Sequence, residues 1–182
     1  FVLKPFLRAK GVNHLPRLIL THGDLKHVGG AEPFTAEFQC YDIFASSFRY
    51  RSVAYRRLFG DMQRAPYKLQ TVHPTASDAS PQGDDGALVR QGEFHGVTIL
   101  LLSDLGRNGQ NLLLDRTNNL RADIVVSGVP TQTDALSEAL LDAIRPRVII
   151  VADSELPATA RASERLKERL TRRHVLVLHT RD

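Results

Sequence analysis

Residues 18–30 read LILTHGDLKHVGG, an apolar run that passes into a polar turn and then into two glycines. The apolar part, from Arg17 to Thr21, predicts a buried β-strand. His22, Asp24 and His27 follow it, and a loop at the end of a strand can direct several side chains at one point. Imidazole nitrogens and carboxylate oxygens are ligands that suit Zn²⁺ or Mn²⁺. The stretch therefore predicts a strand-end metal loop, and the plainer interpretation is a polar turn.

The composition is that of an ordinary globular domain: 42% of the 182 residues are hydrophobic and 24% are charged. The formal net charge of +4 permits a nucleic-acid partner without requiring one. The single cysteine, Cys40, excludes an intrachain disulfide and a zinc site built from several cysteines. No apolar run reaches the roughly 18 residues of a membrane-spanning helix.

Strand and helix patterns alternate along the rest of the chain. Further strands are predicted over residues 40–45, 67–72, 123–126, 148–151 and 175–178, and helices over residues 31–38, 136–144 and 162–170. His95-Gly96 is a two-residue turn signal between residues 88–94 and the apolar run 97–102, and it predicts a β-hairpin. Strands that are joined partly by helices and partly by a hairpin favour an α/β sandwich over an all-parallel sheet.

The metal loop resembles that of the metallo-β-lactamase superfamily, which reads His-x-His/Asp-x-Asp-His and continues into Gly-Gly. The variant with Asp at the third position looks like the C-terminal domain of the ComEC competence proteins. A second match follows in order: LLLSDL at residues 100–105 resembles the family's Leu-Leu-Thr-Gly-Asp-Leu, which places Asp104 at a metal-bridging position. Residues 83–89 and 120–150 also match in order, so the resemblance covers nearly the whole chain.

The resemblance implies a four-layer αβ/βα sandwich of metallo-β-lactamase type. The family's opening strands have no counterpart here, so we expect the sandwich to be incomplete at its N-terminus. Residues 1–182 are then a single domain of this type and a fragment of a longer chain.

Several family ligands are missing from the sequence. Lys26 stands where the family has an Asp that binds the second metal, and residues 127–133 contain no imidazole where the family has His-His-Gly-Ser. The family's later His, expected near residues 156–158, is absent too. This leaves His22, Asp24 and Asp104 for a first metal, and His27 with the shared Asp104 for a second. The resemblance thus implies one divalent metal, Zn or Mn, or none.

The lysine is expected to weaken a second metal site strongly. Unit charges about 4 Å apart interact by roughly 4 kcal/mol at an effective dielectric constant near 20, and here an attraction becomes a repulsion. Our hypothesis is that the Lys26 ammonium pairs with Asp24 or Asp104 and takes over part of the lost cation's role. Asp84 and Asp85 lie in a Gly-rich loop, where a turn role is favoured over an acid–base pair.

The function that the resemblance implies is an accessory domain of a ComEC-type DNA-uptake protein, derived from a metal-dependent phosphodiesterase or nuclease and impaired or inactive. Single-stranded or double-stranded DNA is the expected partner. The parent chain is expected to carry membrane helices in the bacterial inner membrane, with this domain on the outer, periplasmic or extracellular, side. Two alternatives stay open: an active single-metal hydrolase of phosphodiesters, and a purely structural module of a membrane protein.

Overall fold

The computed structural model describes residues 3–46, 53, 55–57, 60, 68–72 and 83–181. The chain divides into two compact units, residues 1–76 and residues 77–182. Within the described residues, none of the helices has the length and apolar character needed to cross a bilayer. The single domain over residues 1–182 stays a prediction.

The first unit contains a three-stranded parallel sheet in the order β1-β2-β3. Leu18 and Leu20 of β1 lie opposite Ile43 and Ala45 of β2, and the buried members of these pairs pack with residues of the helices. Because the strands are parallel, their carboxyl ends share one edge of the sheet. The elements are α1 (Leu3–Ala9), β1 (Arg17–Leu20), α2 (Leu25–Val28), α3 (Ala31–Phe38), β2 (Asp42–Ser46) and β3 (Lys68–Val72).

The second unit contains a five-stranded mixed sheet in the order β4-β5-β6-β7-β8. The hairpin of β4 and β5 is its antiparallel part, and the other neighbouring pairs are parallel. Besides 3₁₀ turns at Gly83–Gly86 and Ala158–Ala160, its elements are β4 (Arg90–Phe94), β5 (Val97–Ser103), α4 (Arg107–Arg116), β6 (Ile124–Gly128), α5 (Glu138–Ile144), β7 (Val148–Ala152), α6 (Glu164–Thr171) and β8 (Leu176–His179).

One face of this larger sheet carries the core of the second unit. Leu100, Val125 and Ile149 are fully buried side chains in register across β5, β6 and β7. They belong to one cluster with the buried leucines and isoleucine of α5 and α6. Both helices begin at a serine whose hydroxyl accepts a hydrogen bond from a backbone N–H of the first turn, Ser137 in α5 and Ser163 in α6.

The other face of the same sheet is apolar as well. Leu101, Val126, Ile150 and Leu178 form a second row in register across β5 to β8. The two end members of this row are well exposed, Leu101 of β5 at 44% and Leu178 of the edge strand β8 at 48%. A mixed α/β fold is therefore confirmed, and the sheet presents apolar side chains on both faces.

Most of the strands predicted above are present within two residues of their predicted bounds. The hairpin is confirmed, and His95 and Gly96 have φ of 50° and 78°, as a two-residue turn of the type I′ class requires. Two helices were missed. The predicted loop over residues 22–30 contains the single turn of α2, and α4 had no predicted counterpart.

Candidate metal centre

The loop after β1 is organised by Asp24, which begins α2. Its backbone is extended, with φ −74° and ψ 164°, and its Oδ1 accepts a hydrogen bond from the backbone N–H of His27 at 3.2 Å. This is a helix N-cap, which satisfies one of the amide groups that a helix start leaves without a partner. Since Asp24 and His27 are three residues apart on one helical turn, the same cap brings their side chains together.

The three predicted donors of this loop contact one another. The His27 Nδ1 lies 2.5 Å from Asp24 Oδ1, and the His22 Nε2 lies 3.7 Å from the same oxygen. The two imidazole rings are 3.7 Å apart between centroids, at an angle of 41°. His22 is buried, and its Nδ1 forms a 3.2 Å hydrogen bond with Thr21 Oγ1. The Thr21 contact fixes the His22 ring so that its Nε2 faces the Asp24–His27 pair.

The charge on Asp24 is stabilised by its neighbours. Burial disfavours its ionised form and by itself raises the pKa of the carboxyl. The hydrogen bond from the His27 ring, together with positive charge on His27 and His22, outweighs burial and holds the pKa of Asp24 below its usual value. The loop therefore presents a carboxylate and two imidazoles in mutual contact.

Lys26 lies within α2, on the turn between Asp24 and His27. Its side chain is outside the part of the structure that is described. The hypothesis that its ammonium replaces a lost cation stays a hypothesis.

Asp104 follows β5 in the second unit, after an irregular strand end. The pairing register with β6 shifts between Leu101 and Ser103, and Ser103 has a left-handed φ of 51°. The Asp104 carboxylate lies against Gly128, the last residue of β6. A Cβ built on that glycine would be 1.9 Å from Asp104 Oδ1. Asp104 is thus directed to the carboxyl end of the neighbouring parallel strand.

The loop after β6, residues 129–133, is held by hydrogen bonds to other loops. The backbone N–H of Thr131 donates to Asp84 Oδ2 at 2.7 Å, and the Thr133 hydroxyl accepts from the N–H of Arg107 at 3.1 Å. This is where the family resemblance expects a pair of histidines, and the sequence of the loop is Val-Pro-Thr-Gln-Thr. The loop keeps a defined conformation without metal-ligating side chains.

The function of Asp85 was missed by the sequence analysis. It lies in a 3₁₀ turn, as the turn prediction required, but its buried carboxylate caps α4. Its Oδ1 accepts from the backbone N–H groups of Asn108 and Gly109 at 3.1 and 3.2 Å, and its Oδ2 accepts from the Asn108 side chain at 3.0 Å. A cap that is more than 20 residues away along the chain leaves no local pattern, so only the Gly-Arg-Asn-Gly run of residues 106–109 could have indicated a helix start.

The side chains of the loop after β1 are of types that fit a single divalent cation. Imidazoles and carboxylates are the usual ligands of a catalytic zinc centre, and the same types suit Mn²⁺. In the loop after β1, Asp24 Oδ1 is already engaged by two groups of His27, so that oxygen is better placed to orient the imidazole than to bind an ion directly.

No family model matches the chain. One curated protein matches nearly the whole length of this chain. The chain is similar to ComE operon protein 3 of Bacillus subtilis (strain 168). The two are 26% identical over 196 residues, which cover 98% of this chain and 25% of that protein. The chain thus spans about a quarter of the relative's length, and the similarity supports the relationship to ComEC proteins that the motifs predict.

Proposed function

We propose that this chain is an accessory domain of a ComEC-type DNA-uptake protein, derived from a metal-dependent phosphodiesterase, that keeps one metal position and has lost the second. The observation that carries the proposal is the contrast between two strand-end loops. Residues 22–27 hold two imidazoles and a carboxylate in contact, whereas residues 129–133 contain no ligand of either kind. The similarity to ComE operon protein 3 supports the assignment to DNA uptake.

In this proposal the retained ion is held by His22, His27 and Asp104, which the family resemblance assigns to metal binding and whose side chains are of the types that bind divalent cations. Asp24 holds the His27 ring through its Nδ1, which leaves the Nε2 of His27 for the metal. Carboxylate–histidine pairs of this kind fix the ring orientation and raise the basicity of the ligand. A bound Zn²⁺ or Mn²⁺ would supply Lewis acidity and lower the pKa of a coordinated water.

Two-metal hydrolysis is not expected from this donor set. That mechanism needs a second cation about 3.5–4 Å from the first to hold both the attacking and the leaving oxygen. Lys26 brings a positive charge to the position of a family carboxylate, and the loop after β6 offers no imidazole to offset it. We therefore propose that the domain cleaves phosphodiesters poorly or not at all.

The charge distribution around α6 does not form a surface of one sign. Arg173 pairs with Glu138 and Asp142, Arg169 lies 3.6 Å from Asp134, and Lys167 pairs with Glu164. Neighbouring acidic side chains therefore balance these positive charges, and we do not propose α6 as a DNA-binding surface. The DNA assignment depends on the resemblance to ComEC proteins, which also suggests an inner-membrane parent with this domain on its outer side.

The apolar second face of the five-stranded sheet supports a four-layer sandwich of metallo-β-lactamase type, in which a further sheet covers that face. Ile149 and Ile150 are adjacent in β7 and point to opposite faces. If the second face is a core layer, Ile150→Asp should destabilise the fold nearly as much as Ile149→Asp. A free energy of unfolding that Ile150→Asp leaves unchanged would contradict the sandwich.

The proposed function is tested by DNA binding and cleavage with matched oligonucleotides. We expect the chain to bind single- or double-stranded DNA with an affinity that falls as salt rises, because phosphate contacts release counterions, and to show no cleavage with Zn²⁺ or Mn²⁺. Metal-dependent cleavage that Asp104→Ala abolishes would replace the proposal with a single-metal hydrolase. Absence of DNA binding would leave a structural module.

A further inference from the structure

We infer that Gly128 is a positioning residue for Asp104, because its missing side chain leaves the space that the Asp104 carboxylate occupies. A Cβ built on Gly128 would lie 1.9 Å from Asp104 Oδ1 and 2.9 Å from its Cγ, both shorter than Cβ contacts in real proteins. The next contact, to the backbone nitrogen of Asp104, is an ordinary 3.4 Å. The conflict is therefore with the carboxylate itself. The meaning of this contact for metal binding rests on the proposed function.

The backbone of Gly128 gives no other reason for a glycine. The described glycines with positive φ are Gly11 and Gly96, so Gly128 has a conformation that other residues adopt. Gly128 also ends a regular strand, where it pairs with Ala152 of β7 in a parallel register. Glycine in a strand often marks a close approach by another group. Here that group is the Asp104 carboxylate.

The backbone of Asp104 has little freedom to move away from a side chain added at position 128. On one side, Ser103 has a left-handed φ of 51° at the register shift that ends β5. On the other side, the N–H of Gly106 donates to Asp84 O at 3.0 Å, and a Cβ on Gly106 would lie 2.4 Å from Asp85 Oδ1. Because the backbone is held on both sides of Asp104, a methyl group at position 128 must displace the carboxylate by rotating its side chain.

A carboxylate that is displaced by even part of an ångström is a poor metal ligand, since coordination distances vary by only about 0.2 Å. Gly128→Ala is thus expected to weaken Zn²⁺ or Mn²⁺ binding although it removes no ligand. We expect a loss of at least about tenfold in affinity, comparable to the loss of an orienting partner of a ligand.

The test is a double-mutant cycle on the whole chain, measured with and without metal. The variants are Gly128→Ala, Asp104→Ala and the double variant, with Gly92→Ala as the matched control. Gly92 lies in strand β4 and has open space where its Cβ would be. In EDTA, Gly128→Ala should lower the midpoint of thermal unfolding by about 4 °C or more when Asp104 is present. It should have little effect in the Asp104→Ala background, where the conflicting atoms are gone.

Titration calorimetry with Zn²⁺ or Mn²⁺ should then show the affinity loss for Gly128→Ala and wild-type affinity for Gly92→Ala. In EDTA, two results would overturn the inference whatever the metal data show. One is that Gly128→Ala and Asp104→Ala change the thermal midpoint additively, and the other is that Gly128→Ala leaves the midpoint unchanged. If Gly128→Ala alone fails to fold, the double variant should fold, and failure of both would also overturn it. A chain that binds no metal but shows the coupling in EDTA would refute the proposed metal position and leave the placement of Asp104 intact.

Discussion

The loops that follow β1 and β6 both leave the carboxyl end of a parallel strand, and they differ in what holds them. The first is built around a carboxylate that caps α2 and contacts two imidazoles. The second is held by a backbone N–H of Thr131 that donates to Asp84 and by the Thr133 hydroxyl. The difference teaches that a strand-end loop can keep a defined shape without metal-ligating side chains, because other loops supply the hydrogen bonds. Under the proposed function, the two metal positions have been lost unequally.

The largest expected effect comes from removing the buried imidazole of the first loop. His22→Ala should weaken Zn²⁺ or Mn²⁺ binding at least about 100-fold, since even an orienting partner of a ligand is worth 10- to 100-fold. Titration calorimetry checks this, with His14→Ala, an exposed histidine of the same unit, as the control. Equal affinity for both variants would show that the first loop is as empty of metal as the second.

Asp24→Asn should weaken metal binding by about 10- to 100-fold, because the amide is a poorer partner for the His27 ring. Asparagine is as good an N-cap as aspartate, so the free energy of unfolding of the metal-free chain should stay near the wild-type value. Asp24→Ala should lose the same affinity and about 1 kcal/mol of stability besides. A variant Asp24→Asn with normal affinity would mean that Asp24 serves only the helix.

The second loop is probed through Asp84. Asp84→Ala removes the acceptor for the Thr131 N–H and should cost about 1 kcal/mol in chemical denaturation, with metal affinity unchanged. Asp84→Asn, which keeps an acceptor oxygen, should be closer to wild type. A clear loss of metal affinity in Asp84→Ala would contradict the view that this loop has a purely structural role.

The smallest effect is expected at Glu138, on the helix that follows the second loop. The hydrogen bond from Arg173 holds the pKa of this carboxyl below its usual 4.5 against the opposing effect of desolvation, and the charges of Arg173, Arg169 and Arg172 lower the pKa further. A lowered pKa in the folded state stabilises the fold above the unfolded pKa, and this stabilisation is lost as the pH falls through the folded value. The difference in thermal midpoint between wild type and Glu138→Gln should therefore be present at pH 7 and shrink below about pH 4.5. A difference that is independent of pH would argue against the ion pair.

The sequence predicted the sheets better than the loops. The apolar runs of β1, β5 and β7 are continuous because these strands are buried on at least one face, and such runs need no long-range information. The His95-Gly96 turn was equally readable, since both residues tolerate positive φ. By contrast, α4 has a polar first turn, Arg-Asn-Gly-Gln, and its start depends on Asp85, which is distant in sequence.

Of the candidate site, the contacts within the first loop were predicted, because His22, Asp24 and His27 are near neighbours in sequence. The separate roles of these three residues were not predicted. Asp24 was interpreted as a metal ligand, and its role as a cap appears only once α2 is seen to begin there. Nor could the sequence show that the Asp104 carboxylate fills the space left by Gly128, since that contact depends on the register shift at the end of β5.

We propose that one metal position has been retained and the other lost, and the most direct test is the number of metal ions that the chain holds. Elemental analysis should follow purification in zinc- or manganese-containing buffer and removal of weakly bound ions. We expect one tightly held equivalent per chain, which disappears in His22→Ala. Two tightly held equivalents would contradict the account, because they would show that the second metal position persists despite Lys26 and a loop without imidazoles.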